Sequence, residues 1–378
     1  MSLVFSMSKP AGALTSAKFS QSAKLLSAVV LVGIQLPTSA QSPTSFEAIT
    51  IEGESAQTST PWQSETTRKD LDALQIQNWN DLGRRLEPGV SFNESTQSIS
   101  VRGLDKNRVL TRIDGIRQTW LNDAARGVRG GLNTVDFNTL SVIDIVRGAD
   151  SSTAGSGALG GVVDIKTLSP ADLLTNGHHF GSLLKGGYSS VDRSWLTSAA
   201  LATQLAAHTQ ILLQAGVQNG RETSNMGTND EYGLTRTQPD PDQYLQQNYQ
   251  LKLLQNFENG HSLGLTGTFF NRQDNIQNLS ASPQIYTNDS SQLGNTTRRE
   301  SVALDYGWRA SHANTLLDTV DAQLYLQRIK LSNNFESFRR VTPVGDFTRN
   351  NALKDTTAGL NISVSKAVTG DVSQLWKA

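Results

Sequence analysis

After Pro170 the chain alternates apolar and polar residues along eight long segments, and this pattern limits the fold more than any other feature. The segments are 180–190, 193–205, 208–220, 248–257, 262–273, 297–310, 314–330 and 354–366. Most run well past the roughly 5 or 6 residues usual for a soluble strand, and a tilted strand needs about 9 to 11 residues to cross a bilayer. In NYQLKLLQNF, Tyr249, Leu251 and Leu253 fall on one face, opposite Gln250, Lys252 and Leu254. In 314–330, Thr319 and Asp321 interrupt the alternation. The connections at 204–210, 257–262 and 309–315 contain tight reversals, whereas 220–248, 274–296 and 331–353 are long and polar. Short turns on one side and long loops on the other are the asymmetry of an outer-membrane barrel. A soluble antiparallel sandwich is the competing architecture.

The amino terminus reads as an export signal. Lys9, Lys18 and Lys24 precede the apolar run LLSAVVLVGIQL (25–36), and the small residues Thr38 and Ala40 place cleavage near Ala40. An anchoring helix is the other reading, but the 12-residue run is short of the roughly 20 residues that span a bilayer. Residues 41–68 are polar and lack core-forming groups, as a flexible segment does. One island there, FEAITIEGE (46–54), alternates Ile49 and Ile51 with Thr50 and Glu52. It is either incidental or a strand awaiting a sheet edge.

Residues 69–170 have the composition of a compact α/β piece. Leu71, Leu74, Leu82 and Leu86 fit short helices, and Pro88-Gly89 stops the second. Short strands are expected at 98–104, 108–116, 142–148 and 160–167. Lys+Arg is 33 against 34 Asp+Glu, which argues against a nucleic-acid partner. Without cysteine there is neither a disulfide framework nor a thiolate metal site.

Gly155, Gly157 and Gly160 literally satisfy the glycine spacing of a dinucleotide-binding turn. A strand follows them, VVDIKT, where that motif needs a helix, so close backbone packing is the better reading. Arg147 either pairs with a carboxylate such as Asp144 or Asp150 or remains a solvated charge. His208, His261 and His312 fall in the inferred short turns, and His178 and His179 sit at the domain boundary as a polar linker or, less simply, a metal pair. No nucleophile with a placed base is apparent, so the chain does not read as an enzyme.

DLGRRLEPGVSF (81–92), SISVRGLDKNRVLTRIDGIRQ (98–118) and DIVRGADSSTAGSGALGGVVDIKT (144–167) resemble, in order and at family spacing, stretches of TonB-dependent outer-membrane receptors. The matching positions include Arg102, Gly103, Asp114, Gly115, Arg147, Gly148, Gly157, Gly160 and Gly161. Residues 131–152 are most similar to haem and haemoprotein receptors. The resemblance implies an α+β plug domain followed by a transmembrane antiparallel β-barrel of roughly 22 strands. About 8 of those strands are in this sequence, which is therefore expected to be a truncated product or a fragment. It also implies a signal peptide at 1–40, a periplasmic segment at 41–68, a plug at 69–170 and the first part of a barrel at 177–378.

A TonB-type periplasmic energy-coupling protein would grip the TonB-box-like residues Ile49, Thr50 and Ile51. Outer-membrane lipid would surround the wall, and haem or a haemoprotein would dock outside as cargo, with no resident cofactor and no metal site. The plug loop after Gln118 is the surface expected to face that ligand. Trp120, Asn122 and Asp123 are its candidate contacts, with ordinary loop packing as the other reading. The plug has no histidine, where haem receptors often use one at the apex. A ferric-siderophore receptor, or a truncated non-transporting outer-membrane protein or adhesin, are the alternatives.

Overall fold

Short helices start here on side-chain caps. The computed structural model describes residues 62–149, 157–175, 177–288, 290–310, 316–368 and 374–377. β1 (Gln63–Thr67) leads into α1 (Arg68–Ala73), where Thr67 N and Oγ1 donate to Asp70 Oδ2 at 3.0 and 2.6 Å. Asn78 caps α2 (Trp79–Arg85) by accepting from Asp81 N at 2.8 Å. Leu71 and Leu82 are buried as their spacing predicts, while Leu74 follows the end of α1 and is exposed.

The chain continues through β2 (Val90–Asn93), β3 (Ser98–Val101), β4 (Val109–Ile113), β5 (Ile116–Arg117), β6 (Leu121–Asp123), β7 (Val128–Gly130), β8 (Leu140–Arg147) and β9 (Gly161–Thr167) to α3 (Pro170–Leu173). The main plug sheet has the order β1-β8-β9-β4-β5, with β4 and β9 parallel and the other neighbours antiparallel. Its core joins Leu71, Trp79 and Leu82 to Ile143, Ile145, Val163 and Ile165, and Trp79 meets Phe137 edge to face at 5.1 Å. β1 lies within the stretch expected to be flexible. It is ordered by a ladder to β8 running from Gln63↔Val146 to Thr67↔Val142, a partner 75 or more residues away that the polar QSETT does not signal.

The wall is a separate antiparallel sheet in chain order: β10 (Phe180–Ser189), β11 (Ser194–Ala206), β12 (Thr209–Arg221), β13 (Asp242–Asn256), β14 (His261–Gln277), β15 (Gln292–Arg309), β16 (Thr319–Arg339), β17 (Gly345–Val368) and β18 (Gln374–Lys377). β10 and β18 are its two edges. Among the described residues no helix is long and apolar enough to cross a membrane. Strand length grows from 10 residues in β10 to 24 in β17. The expected long loop 331–353 is mostly strand, because β16 and β17 stay paired from Arg339↔Gly345 inward. Likewise β13 starts at Asp242 and β14 runs to Gln277, inside two other expected loops. Beyond the apolar zone both faces of a strand can be polar. The period-two signal then fades while the backbone ladder continues.

β15 shows the two faces of the wall. Val302 and Leu304 are exposed on one face, in step with Glu300, Tyr306 and Trp308, whereas Arg299, Ser301 and Ala303 on the other are buried. The same division places Tyr249 and Leu251 outside and Gln246, Asn248, Gln250 and Lys252 inside. Lipid tolerates only the apolar face, and the inner face meets the plug. Leu304→Arg is expected to cost about 2–4 kcal/mol, as a charge on the lipid face near the midplane does. Lower recovery of folded chain in the membrane fraction checks this. Thr266→Arg, facing inward, tests whether a charge is harmful on either face.

Candidate functional site

Asp114 and Gly115 turn the chain from β4 into β5 with φ of 47° and 78°, a left-handed pair that glycine accommodates at its second position. The Asp114 carboxylate accepts from Thr167 N at 2.8 Å and Thr167 Oγ1 at 2.6 Å, fastening the turn to the end of β9. From the wall, Lys252 Nζ lies 3.4 Å from the same carboxylate and donates to Thr167 O at 3.1 Å. Gln250 Nε2 donates to Thr167 Oγ1 and Leu168 O at 2.9 and 2.7 Å. Gln323 Nε2 donates to Asp114 O at 2.9 Å, and a Cβ on Gly115 would come within 3.0 Å of Gln323 Oε1. This signature turn is therefore where plug and wall are joined most densely by polar contacts.

A second junction is built on Asp136 and Arg299. Asp136 accepts from Asn138 N at 2.8 Å and Asn138 Nδ2 at 2.7 Å, and Asn248 Nδ2 of β13 donates to its other oxygen. Burial pushes the Asp136 carboxyl above its ordinary 3.8, and these hydrogen bonds only partly oppose that. Arg299, buried on β15, donates to Thr134 O at 3.3 Å and to Thr268 Oγ1 at 3.2 Å. A small cavity between the sheets is lined by both apolar and polar groups, among them Ile113, Ile116, Asp114, Thr268, Arg299 and Asp305.

The sign of the Asp136 contribution follows from the raised value. The folded state binds the proton more tightly than the unfolded chain, so this group favours folding fully below pH 3.8. That contribution is lost as pH rises through the folded value. Stability of the chain measured against Asp136→Asn should therefore shift in favour of the variant between pH 4 and 7. A difference constant over that range would remove Asp136 from the account.

At the third junction Gln118 Nε2 donates to Gln327 Oε1 at 2.9 Å, and Gln327 Nε2 donates to Arg117 O at 3.1 Å. The candidate ligand loop follows immediately and is a hairpin, β6 with β7, rather than irregular chain. Val128 and Leu121 pack on Ile329, Leu331 and Leu353 of the wall, toward the end that carries the long connections. Of the three predicted contacts, Asn122 is exposed. Trp120 is half-buried, its Nε1 donating to Thr96 O at 2.7 Å and its ring lying 5.4 Å from Lys106 Nζ. Asp123 pairs with Arg126 Nη1 at 2.6 Å, and that hydrogen bond holds its carboxyl below the usual range. Trp120 and Asp123 therefore have internal partners, and Asn122 is the one presented outward.

Arg147 corrects an expectation. It pairs with Glu87, not with Asp144, and donates to Ser64 Oγ at 2.9 Å. Asp144, three residues away on a strand, points to the opposite face, where Lys166 lies 3.7 Å from it. Asp150 lies outside the described residues. Arg102 and Gly103 form a turn between Val101 and Leu104, with the Arg102 guanidinium 5.4 Å from the Trp62 ring centroid. Gly148 adjoins the start of β9 through Gly148 N to Gly160 O at 3.2 Å. Gly157 faces the Arg117 side chain, and a Cβ on Gly160 would come within 2.6 Å of Leu104 Cβ, so Gly160 lies in tight backbone packing. Ile49, Thr50, Ile51 and Gly155 fall outside the described residues.

The junction residues supplied by the wall were not singled out in the sequence. Asn248, Gln250 and Lys252 were visible as the polar face of one strand, but their partners in the plug lie 80 to 140 positions away.

Residues 54–162 match the TonB-dependent Receptor Plug Domain family. Lactoferrin-binding protein A of Neisseria meningitidis serogroup B is 32% identical over 185 residues, covering 45% of this chain and 19% of that protein. Hemoglobin and hemoglobin-haptoglobin-binding protein A of Haemophilus influenzae is 30% identical over 291 residues, covering 69% of this chain and 27% of that protein. Among solved structures, the FrpB iron transporter of Neisseria meningitidis superposes with a TM-score of 0.63 at 16% identity, over 82% of this chain and 46% of that one. The Serratia marcescens hemophore receptor HasR gives 0.55 at 19% identity, over 84% and 49%. The chain thus spans less than half the length of each of these proteins.

Proposed function

Because the chain belongs to the TonB-dependent outer-membrane receptor family and carries its plug domain, we propose that it acts in energy-coupled uptake of iron, with haem or a haemoprotein as the source. The observation that carries this reading is the fit of plug to wall. Asp114, Asp136 and Gln118 each meet a polar inward side chain of the strands, so beside the apolar contact at Val128 much of the plug–wall contact is hydrogen bonding that can be exchanged for water. A domain fixed by an apolar interface would resist such exchange.

In this reading an external ligand meets the β6–β7 hairpin, with Asn122 as its exposed side chain. A TonB-type protein in the periplasm grips Ile49, Thr50 and Ile51 by strand addition, which uses backbone hydrogen bonds. Pulling there loosens the plug, and the junctions at Lys252 and Gln323 are the contacts that must part. Haem is favoured as cargo because relatives matching across both plug and wall are named for haemoglobin binding or for haemoglobin-haptoglobin utilization.

Growth of iron-starved cells that make the complete gene product tests the cargo. Haem, haemoglobin and a ferric siderophore are supplied in turn as sole iron source. Growth dependent on the gene with haem or haemoglobin supports the reading. Growth dependent on it with the siderophore alone would replace haem by a siderophore, and no dependence on any source would contradict iron uptake.

A further inference from the structure

On the outer face of the wall, we infer that β15, β16 and β17 form a binding site for the phosphorylated headgroup of an outer-leaflet lipid. Register aligns Arg298 with Lys330, and Lys330 with Lys354, so three cations lie side by side on neighbouring strands. Directly opposed side chains are about 5 Å apart, and like charges in that position repel. All three are exposed. Among the described residues Lys330 and Lys354 have no carboxylate partner. Arg328, also outward, adds a fourth cation 4.0 Å from Glu300. Glu300 also accepts from Arg298 Nε at 2.7 Å, and it is the one carboxylate within the row. Three positive charges remain uncompensated.

Position gives the row its meaning. Immediately on one side the same face carries Leu326, Leu324, Leu360, Val302 and Leu304, all exposed as a lipid-facing band requires. On the other side it carries Ser332, Asn334 and Glu336, where the paired strands continue toward the long connections. The row therefore sits where acyl chains end and headgroups begin. Long connections mark the external side of an outer-membrane barrel, which puts this boundary in the outer leaflet. Arg298 also stacks on Phe269, 4.9 Å from the ring centroid, which fixes its guanidinium at the rim. A phosphate bridging Arg298, Lys330 and Lys354 relieves their repulsion while its acyl chains cover the leucines below. Free inorganic phosphate shares the charge chemistry but cannot use the apolar band.

The chain in neutral detergent micelles is titrated with diphosphoryl lipid A, with the same lipid stripped of its phosphates, and with inorganic phosphate. The diphosphoryl lipid should bind about 100-fold more tightly than the stripped lipid, the effect of about three basic residues acting on an anionic surface. The triple variant Arg298→Gln, Lys330→Gln, Lys354→Gln should lose that preference. The charge-conserving variant Arg298→Lys, Lys330→Arg, Lys354→Arg should keep it. Equal affinity for the two lipids overturns the proposal, as does a preference unchanged in the glutamine variant. If inorganic phosphate binds as tightly as the diphosphoryl lipid, the lipid assignment fails and the row is a soluble-anion site. Should the glutamine variant not fold, the two lipids compared on the unaltered chain and the charge-conserving variant still decide.

Discussion

Replacing Arg147 with alanine should destabilise the plug by about 3–5 kcal/mol, the range for breaking a buried ion pair from one side. Glu87 is 3% exposed, and besides Arg147 it accepts from Ser64 Oγ and Thr66 Oγ1, both at 2.6 Å. Without the guanidinium those hydroxyls alone would face a buried carboxylate. The network joins β1, β8 and the connection after α2, so its loss loosens the amino-terminal edge of the plug sheet where β1 attaches. Arg147→Lys should recover only part of the loss, because an ammonium cannot reproduce the guanidinium fork that reaches both Glu87 and Ser64. Urea dependence of plug proteolysis in the full chain measures the effect. A shift below about 1 kcal/mol, the value of an exposed pair, would contradict the buried-network account.

The largest functional effect is expected at Ile49. Strand addition relies on backbone N–H groups, and proline has none to give. In cells making the complete protein, Ile49→Pro should reduce uptake to that of cells lacking the gene. Ligand held at the cell surface should stay unchanged, since the external β6–β7 hairpin is untouched. Thr50→Val keeps the backbone donors and should keep most uptake. Full uptake in the proline variant would show that coupling does not run through residues 46–54.

What the sequence discloses depends on whether the signal is local. The wall was legible because TRRESVALDYGWRA alternates: Arg298, Glu300, Val302 and Leu304 face out, and Arg299, Ser301 and Ala303 face in. The strand ends were not, because from Ser332 onward polar residues occupy both faces and the two aromatics, Phe335 and Phe338, fall on opposite ones, so period two has little contrast left. The sequence leaves Arg147 either paired with a nearby carboxylate or solvated, and its partner comes from position 87 through topology. Strand parity alone would have ruled out Asp144. Trp120 reads either as a candidate ligand contact or as ordinary loop packing. Its bond to Thr96 O depends on a fold that brings residues 24 positions apart together. Asp114 and Gly115 are signature positions inside an expected strand, 108–116, and both the turn they make and its role as a junction with Lys252 and Gln323, more than 130 residues downstream, come from the fold.

Energy-coupled iron uptake makes accumulation of labelled iron depend on the inner-membrane proton gradient. Iron-starved cells making the complete protein are given radiolabelled haem, with and without a protonophore that collapses the inner-membrane proton gradient. Label should bind the cell surface in both cases but accumulate inside only while the gradient is intact. Accumulation that continues without the gradient, or cells that never bind the label, would contradict it.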